Sequence, residues 1–188
     1  MTEKESTRTF IAIEFSDEVI KEVARVQELL LGVKFTGKIT ELENLHLTLK
    51  FLGEIDDVVI EQVKTRLQEI KFEKMKLKLG KMGAFSAHGN PRIVWVKVEG
   101  KEIYELQKAI DEKLKDLFPP EERFMGHLTI ARIGYVKDKK GFLEHLGGIH
   151  VKPVPFSVSE IKLKKSELKP LGPVYSDLEV VPAVKQSD

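Results

Sequence analysis

The chain has 188 residues, of which 41% are hydrophobic and 32% charged, and it contains no cysteine. This length fits one domain, or two lobes that share a core, better than two independent domains. The lack of cysteine excludes disulfides, thiolate nucleophiles and Cys-ligated zinc. The formal net charge of +1 excludes the global basic field of a protein that coats nucleic acid, so a contact with RNA must use a local patch.

No apolar run reaches the length of a membrane span. The first nine residues are polar and mixed in charge, without the apolar core of a secretory signal. We therefore expect a cytoplasmic protein that makes no contact with a membrane, and we expect a monomer. The bias toward Lys and Glu, with asparagine only at Asn44 and Asn90, resembles the composition of thermophile proteins.

The first half of the chain alternates between strand and helix patterns. Alternating apolar and polar residues predict strands over Thr9–Glu14, Leu45–Phe51 and Met75–Phe85. Ser16 lies where a helix N-cap belongs, and Gly32 fits the end of that helix. Apolar stripes with helical spacing predict a helix after each of the first two strands: Val19, Val23, Val26 and Leu30, then Val59, Val63, Leu67 and Ile70.

The same order restarts in the second half. Strand patterns recur at four places: Arg92–Val98, His127–Arg132, Phe156–Lys165 and Val174–Val181. A helical stripe follows the first of these strands and ends before Pro119–Pro120, and a short helix is predicted over Lys139–Leu146. The stripe consists of Ile103, Leu106, Ile110, Leu114 and Leu117.

The two halves are related by a nearly constant offset. The first strands of the two halves start 83 residues apart, at Thr9 and Arg92. The motif histidines, His46 and His127, lie 81 residues apart, and the third strands also start 81 residues apart. The sequence therefore predicts an α+β protein of two duplicated β-α-β-α-β lobes, with equivalent strands facing each other across a pseudo-twofold axis. We expect one bilobal domain over residues 1–182, with intertwined halves at about 8–86 and 91–181, and a flexible tail over residues 183–188.

Near copies of one motif stand at equivalent positions of this repeat. The segment HLTLKFLG starts at His46, and HLTIARIG starts at His127. Strand alternation places His46 and Thr48 on one face, and likewise His127 and Thr129, with the apolar residues on the other face. If the two strands border one groove, two imidazoles and two hydroxyls converge on one point.

This set of groups suits the hydrolysis of a cyclic phosphodiester. Because histidine titrates near neutral pH, one imidazole can take a proton from water while the other protonates the leaving sugar oxygen. A hydroxyl two residues along can donate a hydrogen bond to a non-bridging phosphate oxygen, where charge builds up. This chemistry requires no metal and no cofactor. A single histidine on a half-buried strand is more often structural, but packing alone gives no reason for a second copy.

The paired H-x-T-x motifs, half a chain apart, resemble those of the 2H phosphoesterase superfamily. The segments RTFIAIEF, FLGEI, GAFSAHGNPRIVWV and GHLTIARI resemble its RNA 2′,3′-cyclic phosphodiesterase branch, once named 2′-5′ RNA ligase. The resemblance extends over roughly Arg8 to Val180, and neither motif departs from the family pattern.

The resemblance implies a bilobal fold with a water-filled groove between two antiparallel sheets. It implies hydrolysis of RNA 2′,3′-cyclic phosphate ends to 2′-phosphate ends, so that the 3′ oxygen leaves. By the same resemblance, His46 corresponds to the proton donor, His127 to the proton acceptor, and Thr48 and Thr129 to phosphate-binding residues. The implied partner is RNA with such an end, and tRNA fragments and small cyclic nucleotides stay open as substrates.

Three further residues are candidates for contact with the substrate. Phe51 and Arg132 each stand five residues after a motif histidine, where the family resemblance implies an aromatic that stacks on a base and an arginine that reaches the phosphate. Strand alternation puts both on the face opposite the histidines, unless a bulge brings them round. Lys50 shares the predicted face of His46, so it either adds positive charge to the groove or is a solvated surface lysine.

The remaining polar and aromatic residues carry weaker expectations. We expect His88 in a turn between the halves and Trp95 in the core. The sequence leaves open whether Tyr175 borders the groove. No metal site is expected, because the motif histidines lack acidic neighbours at ligand spacing. Four lysines either attract RNA or form a solvated face with the acidic residues near them: Lys162, Lys164, Lys165 and Lys169.

Two other functions stay open at this point. The same histidines would serve RNA end joining, in which a 5′-hydroxyl attacks the cyclic phosphate, although the high concentration of water favours hydrolysis. A nucleotide-binding module without chemistry would retain the groove but would be expected to lose at least one histidine.

Overall fold

The computed structural model describes residues 6–170 and 172–184, and it shows an α+β protein. The strands are β1 (Thr7–Ile13), β2 (Thr36–Ile39), β3 (Leu47–Ile55), β4 (Met75–Ala87), β5 (Asn90–Glu99), β6 (His127–Tyr135), β7 (Pro155–Val158), β8 (Glu160–Lys169) and β9 (Gly172–Pro182). The helices are α1 (Asp17–Leu30), α2 (Asp57–Gln68), α3 (Glu102–Leu114) and α4 (Lys139–Gly148). A short 3-10 helix covers Leu42–Asn44. None of the helices among the described residues is long and apolar enough to cross a membrane.

The strands form two antiparallel sheets, as expected. The first has the order β3-β1-β8-β9 and the second β2-β6-β5-β4-β7. Strand β3, which follows the first motif histidine, pairs with β1, and β6, which begins at the second, pairs with β5. The third strand of each half pairs within the sheet of the other half, because β4 lies beside β5 and β8 lies beside β1. Both motif strands therefore belong to sheets that contain residues from the two halves.

Apolar helix faces cover one side of the sheets. The predicted stripe of α1 is fully buried, and α1 packs against β6 and β7, while α3 packs against β3 and β4. Asp56 begins α2 by accepting a hydrogen bond from the Val59 N–H at 3.0 Å, and Asp138 begins α4 in the same way. The buried strand residues face these helices, which leaves the motif histidines and threonines on the other side.

The segment Phe156–Lys165 is two strands rather than the predicted one. Phe156 and Val158 are buried in β7, whereas Ile161 and Leu163 are buried in β8, so the alternation shifts by one residue at Ser159. The chain crosses there from one sheet to the other, since β7 pairs with β4 and β8 pairs with β1.

Strand β2 is a further element that was not predicted from the sequence. It has four residues, three of them exposed, so it carries almost no apolar alternation. Gly37 has φ +149°, and a Cβ at this position would lie 2.2 Å from the Arg132 carbonyl oxygen. Only glycine allows this close approach of β2 to β6, which places residues 38–40 beside the second motif.

The predicted tail begins inside the described part of the chain. The Ala183 N–H donates to the Ser159 carbonyl oxygen at 2.7 Å, and the Val184 N–H donates to the Phe72 carbonyl oxygen at 2.8 Å. These bonds hold both residues against the domain. The rest of the predicted tail, residues 185–188, lies outside the described residues.

Candidate active site

A cavity of about 150 Å³ lies where the two motif strands meet. His46 and Thr48 line it from the first motif, and His127 and Thr129 line it from the second. The remaining walls come from residues 38–44, from Arg132, and from Pro173 and Tyr175 of β9. The structure thus brings together the four residues that the repeated motif singled out.

The two imidazoles are held in the same way. His46 Nδ1 lies 2.8 Å from the Asn44 carbonyl oxygen, and His127 Nδ1 lies 2.7 Å from the Met125 carbonyl oxygen. A carbonyl oxygen only accepts hydrogen bonds, so Nδ1 carries the proton in both rings. Each histidine therefore keeps Nε2 as the ring nitrogen available to a substrate. A neutral ring offers a lone pair there, and a protonated ring offers an N–H.

Burial and neighbouring cations disfavour the charged form of His46. Burial is the largest cause that lowers its pKa below the usual histidine value, and Lys164 and Arg132 lower it further. The hydrogen bond to the Asn44 carbonyl opposes this shift. The free protein therefore holds His46 neutral at neutral pH.

Aromatic rings pack against both histidines. The His46 ring centroid lies 4.8 Å from that of Phe10 and 5.2 Å from that of Tyr175, while the His127 ring lies 5.1 Å from Phe85. Burial raises the pKa of the Tyr175 hydroxyl, which therefore stays protonated. The structure thus places Tyr175 in the site, a point that the sequence left open because β9 is far from both motifs along the chain.

Two equivalent β-bulges change which residues share the motif face. Strand β1 pairs Ile11 with Lys50 but Ala12 with Thr48, so Leu49 is an extra residue in β3. Strand β5 pairs Val94 with Ala131 but Trp95 with Thr129, so Ile130 is an extra residue in β6. Beyond each bulge the alternation is shifted by one residue, and positions five residues after each histidine return to the motif face.

The bulges bring Arg132 into the site and Phe51 to its margin. Arg132 lines the cavity, and it has no ion-pair partner among the described residues. Phe51 is the cross-strand partner of Phe10, whose ring touches His46, but it lies outside the cavity. Phe51 is 48% exposed, and the Arg8 guanidinium lies over its ring, 5.0 Å from the centroid.

The expectation that Lys50 adds charge to the groove is wrong. The bulge turns Lys50 into the core, where it is 2% exposed. Its ammonium donates to Asp111 Oδ1 at 2.5 Å and to the Pro119 carbonyl oxygen at 2.7 Å. Asp111 also accepts from the Gln107 side chain and from the Glu121 N–H. Lys50 is therefore part of a buried polar network that ties β3 to α3 and to the chain beyond it.

The lysine cluster of β8 is neutralised by acidic residues. Lys162 and Lys164 both pair with Glu14 and with Asp177, and Lys162 also lies 3.4 Å from Glu160. Each ammonium is therefore already matched by carboxylates. His88 lies in the β4–β5 turn with φ 49°, which agrees with the expected turn.

The wall formed by residues 38–44 was not predicted from the sequence. Asn44 donates through its side chain to the Pro173 carbonyl oxygen at 3.1 Å, which joins this wall to β9. Lys38 pairs with Glu41 at 2.5 Å beside it. No sequence pattern marks these residues, because their position depends on the pairing of β2 with β6. Within residues 6–170 and 172–184, no three His, Asp or Glu side chains lie close enough to hold a metal ion.

Solved structures share this architecture. A Thermus thermophilus protein superposes with a TM-score of 0.77 at 25% identity, covering 96% of this chain and 100% of its own. Escherichia coli LigT, solved with 3′-AMP, superposes with a TM-score of 0.74 at 19% identity and shares the fold. The fold is that of the 2H phosphoesterases, as the sequence resemblance implied.

The chain belongs to the LigT-like phosphoesterase family. The family model matches it twice, over residues 13–95 and 96–175. A Methanocaldococcus jannaschii protein named RNA 2′,3′-cyclic phosphodiesterase is 35% identical over 173 residues, covering 89% of this chain and 96% of its own. An Archaeoglobus fulgidus protein of the same name is 36% identical over 181 residues, covering 92% and 98%.

Proposed function

We propose that this protein is an RNA 2′,3′-cyclic phosphodiesterase that leaves 2′-phosphate ends. The observation that carries the proposal is the pair of imidazoles, His46 and His127, which line one cavity with the same ring nitrogen available. The relatives that match nearly the whole chain bear this name, which supports the same reaction here.

The two histidines divide the proton transfers. Neutral His127 accepts a proton through Nε2 from a water molecule, which attacks the phosphorus atom. The bond from phosphorus to the 3′ oxygen breaks, and protonated His46 gives that oxygen its proton. Thr48 and Thr129 donate hydrogen bonds to the non-bridging oxygens as charge builds on them, and Arg132 offsets that charge.

His46 must gain a proton to act as the donor. Its pKa is lowered in the free protein by burial and by nearby cations. A cyclic phosphodiester carries one negative charge, and a charge of this sign within about 4–6 Å favours the protonated imidazole. Binding of the substrate therefore prepares His46 for its role, and the free protein holds the ring neutral.

The reaction uses neither a metal nor a cofactor in this proposal. Paired imidazoles supply both proton transfers, and the hydroxyls with Arg132 supply the electrostatic stabilisation. The proposed substrates are RNA with a 2′,3′-cyclic phosphate end, tRNA fragments included, or small cyclic nucleotides. A cytoplasmic location and a monomeric state remain predictions.

Ligation is an alternative use of the same site. A 5′-hydroxyl would take the place of water as the nucleophile, so His127 would accept its proton and His46 would still protonate the leaving 3′ oxygen. Hydrolysis is the favoured direction because water is far more concentrated than any RNA end. A binding module without chemistry is disfavoured, because both histidines are present and both have Nε2 available.

Product analysis tests the proposal. A short RNA with a 2′,3′-cyclic phosphate end is incubated with the protein in EDTA, and the products are separated by HPLC. We expect conversion to the 2′-phosphate. A 3′-phosphate product would contradict the assigned direction, and activity that is lost in EDTA and restored by a divalent cation would contradict metal independence.

A further inference from the structure

An aromatic surface lies beside the cavity on the second sheet. The Phe85 ring centroid lies 5.1 Å from that of His127 and 5.4 Å from that of Trp95. Phe85 is 38% exposed, and Trp95 is half-buried opposite Thr129 on the motif face, so the expectation of a core tryptophan is wrong. Gly83 makes room for the indole, because a Cβ there would lie 2.6 Å from Trp95 Cζ2.

Strand register fixes the position of this surface relative to the phosphate site. Phe85 pairs with Ile93, and Ile93 pairs with Arg132, which lines the cavity. Residues paired across strands share a face, and neighbouring strands lie about 4.8 Å apart, so roughly 10 Å separates the Phe85 and Arg132 backbones. This distance suits the nucleotide next to the one whose cyclic phosphate occupies the cavity.

A lysine lies on the same face, beside the second motif histidine. Lys97 is the cross-strand partner of His127 and shares a face with Trp95 two residues before it. It is half-buried, and no carboxylate of the described residues pairs with it. A half-buried cation without a counter-ion favours an anionic ligand, and the phosphate of a neighbouring nucleotide supplies one.

We propose that Phe85, Trp95 and Lys97 form a subsite for the second nucleotide from the RNA end. Lys97 binds the phosphate that joins the last two nucleotides, and the two rings stack on the base of the second. The subsite rests on the proposed function, because it assumes that the cyclic phosphate lies between His46 and His127. Stacking accepts every base, so the preferred substrate is RNA of at least two nucleotides without base selection at the second.

Three substrates separate the parts of the subsite. They are a nucleoside 2′,3′-cyclic phosphate, its 5′-phosphorylated form, and a dinucleotide with a cyclic phosphate end. For the wild type, we expect kcat/KM to be higher for the 5′-phosphorylated nucleoside cyclic phosphate than for the plain one, because its 5′-phosphate binds Lys97. We expect a further increase for the dinucleotide, because its second base stacks on the two rings. The ratios between substrates are the readout, because a general loss of activity cancels in them.

Each variant should abolish one of the two increases in kcat/KM along this series of substrates. Phe85→Leu keeps an apolar side chain but removes the ring, so the ratio of dinucleotide to 5′-phosphorylated substrate should fall by about 5- to 150-fold. Lys97→Gln should lower the ratio of the 5′-phosphorylated to the plain substrate by about 10-fold. The same variant should also make dinucleotide binding less sensitive to salt. The slope of log binding constant against log salt concentration should become shallower by about 0.7, the value for one phosphate contact on a single strand.

Matched controls lie elsewhere on the surface. Tyr135→Leu removes a ring that is 62% exposed at the end of β6, and Lys108→Gln removes an exposed charge on α3. Both should leave the ratios unchanged. Equal kcat/KM for the three substrates, or equal losses on all three in Phe85→Leu and Lys97→Gln, would overturn the subsite while the proposed function stands. Hydrolysis of none of them by the wild type would instead overturn the proposed function.

Discussion

At the scale of single residues, the backbone fixes the orientation of both histidines. Each ring donates from Nδ1 to the carbonyl oxygen two residues before it, at 2.8 Å for His46 and 2.7 Å for His127. The sequence alone shows that His and Thr share a face, but not which ring nitrogen is available. That atom depends on the path of the chain as it enters each strand. The arrangement makes both rings ready to exchange a proton through Nε2 without turning.

The protonation of His46 should respond to an anion in the cavity. Because burial lowers its pKa in the free protein, its NMR titration should have a midpoint below about 6.5, the value of an unperturbed histidine. Addition of inorganic phosphate or a nucleoside 2′-phosphate should move the midpoint upward. The activity that needs protonated His46 should then be lost as pH rises through this higher pKa. A titration midpoint that neither anion raises would contradict the role of His46 as donor.

The threonine hydroxyls should matter for turnover and little for stability. Thr48→Val and Thr129→Val keep the shape of the side chain but remove the donor to the phosphate oxygens. We expect each to lower kcat by roughly 10- to 1,000-fold, the range for one hydrogen bond to a developing oxyanion. Thermal unfolding should change little, because both side chains border the cavity. A loss of stability without a loss of kcat would assign them a structural role instead.

At the scale of elements, the buried Lys50–Asp111 pair joins β3 to α3 and to Pro119 beyond it. Lys50→Met alone leaves Asp111 with a charge that has lost its main partner, and this should lower the free energy of unfolding by about 3–5 kcal/mol. Asp111→Leu should have a similar effect. The double variant should recover most of the loss, because two apolar side chains replace a buried pair. Denaturant unfolding of the three variants measures this, and additive losses would contradict the pairing.

Some of the strands and helices could be predicted from sequence patterns alone, and others could not. Strong periodicity marked α1, α2, the motif strands and the repeat correctly, because burial of one face repeats at a fixed spacing. The bulges at Leu49 and Ile130 were not visible, since both residues continue the alternation of apolar and polar positions in the sequence. They reverse the predicted faces of Lys50, Phe51 and Arg132. The break at Ser159 is visible in the sequence but was missed: the apolar residues change from even to odd positions between Val158 and Ile161.

At the scale of the whole molecule, the site depends on the duplication. One motif contributes one histidine and one threonine, and the cavity needs both copies. The exchanged third strands, β4 and β8, place residues of each half in the sheet of the other. The sequence could indicate the pairing of the motifs, because their spacing matches that of the halves. The wall of residues 38–44 and the approach of Tyr175 to His46 depend on contacts between distant segments, which no local pattern records.

His46 and His127 are proposed to act together as an acid–base pair on a cyclic phosphate end. The most direct test is the pH–rate profile of the wild type, His46→Ala and His127→Ala on the same short RNA with a 2′,3′-cyclic phosphate end. The wild type should give a bell-shaped profile. Each variant should remain folded by circular dichroism, lose roughly 10²- to 10⁴-fold in kcat and lose one limb of the bell. Two folded variants that keep the wild-type rate and profile would show that these histidines are not the acid and the base.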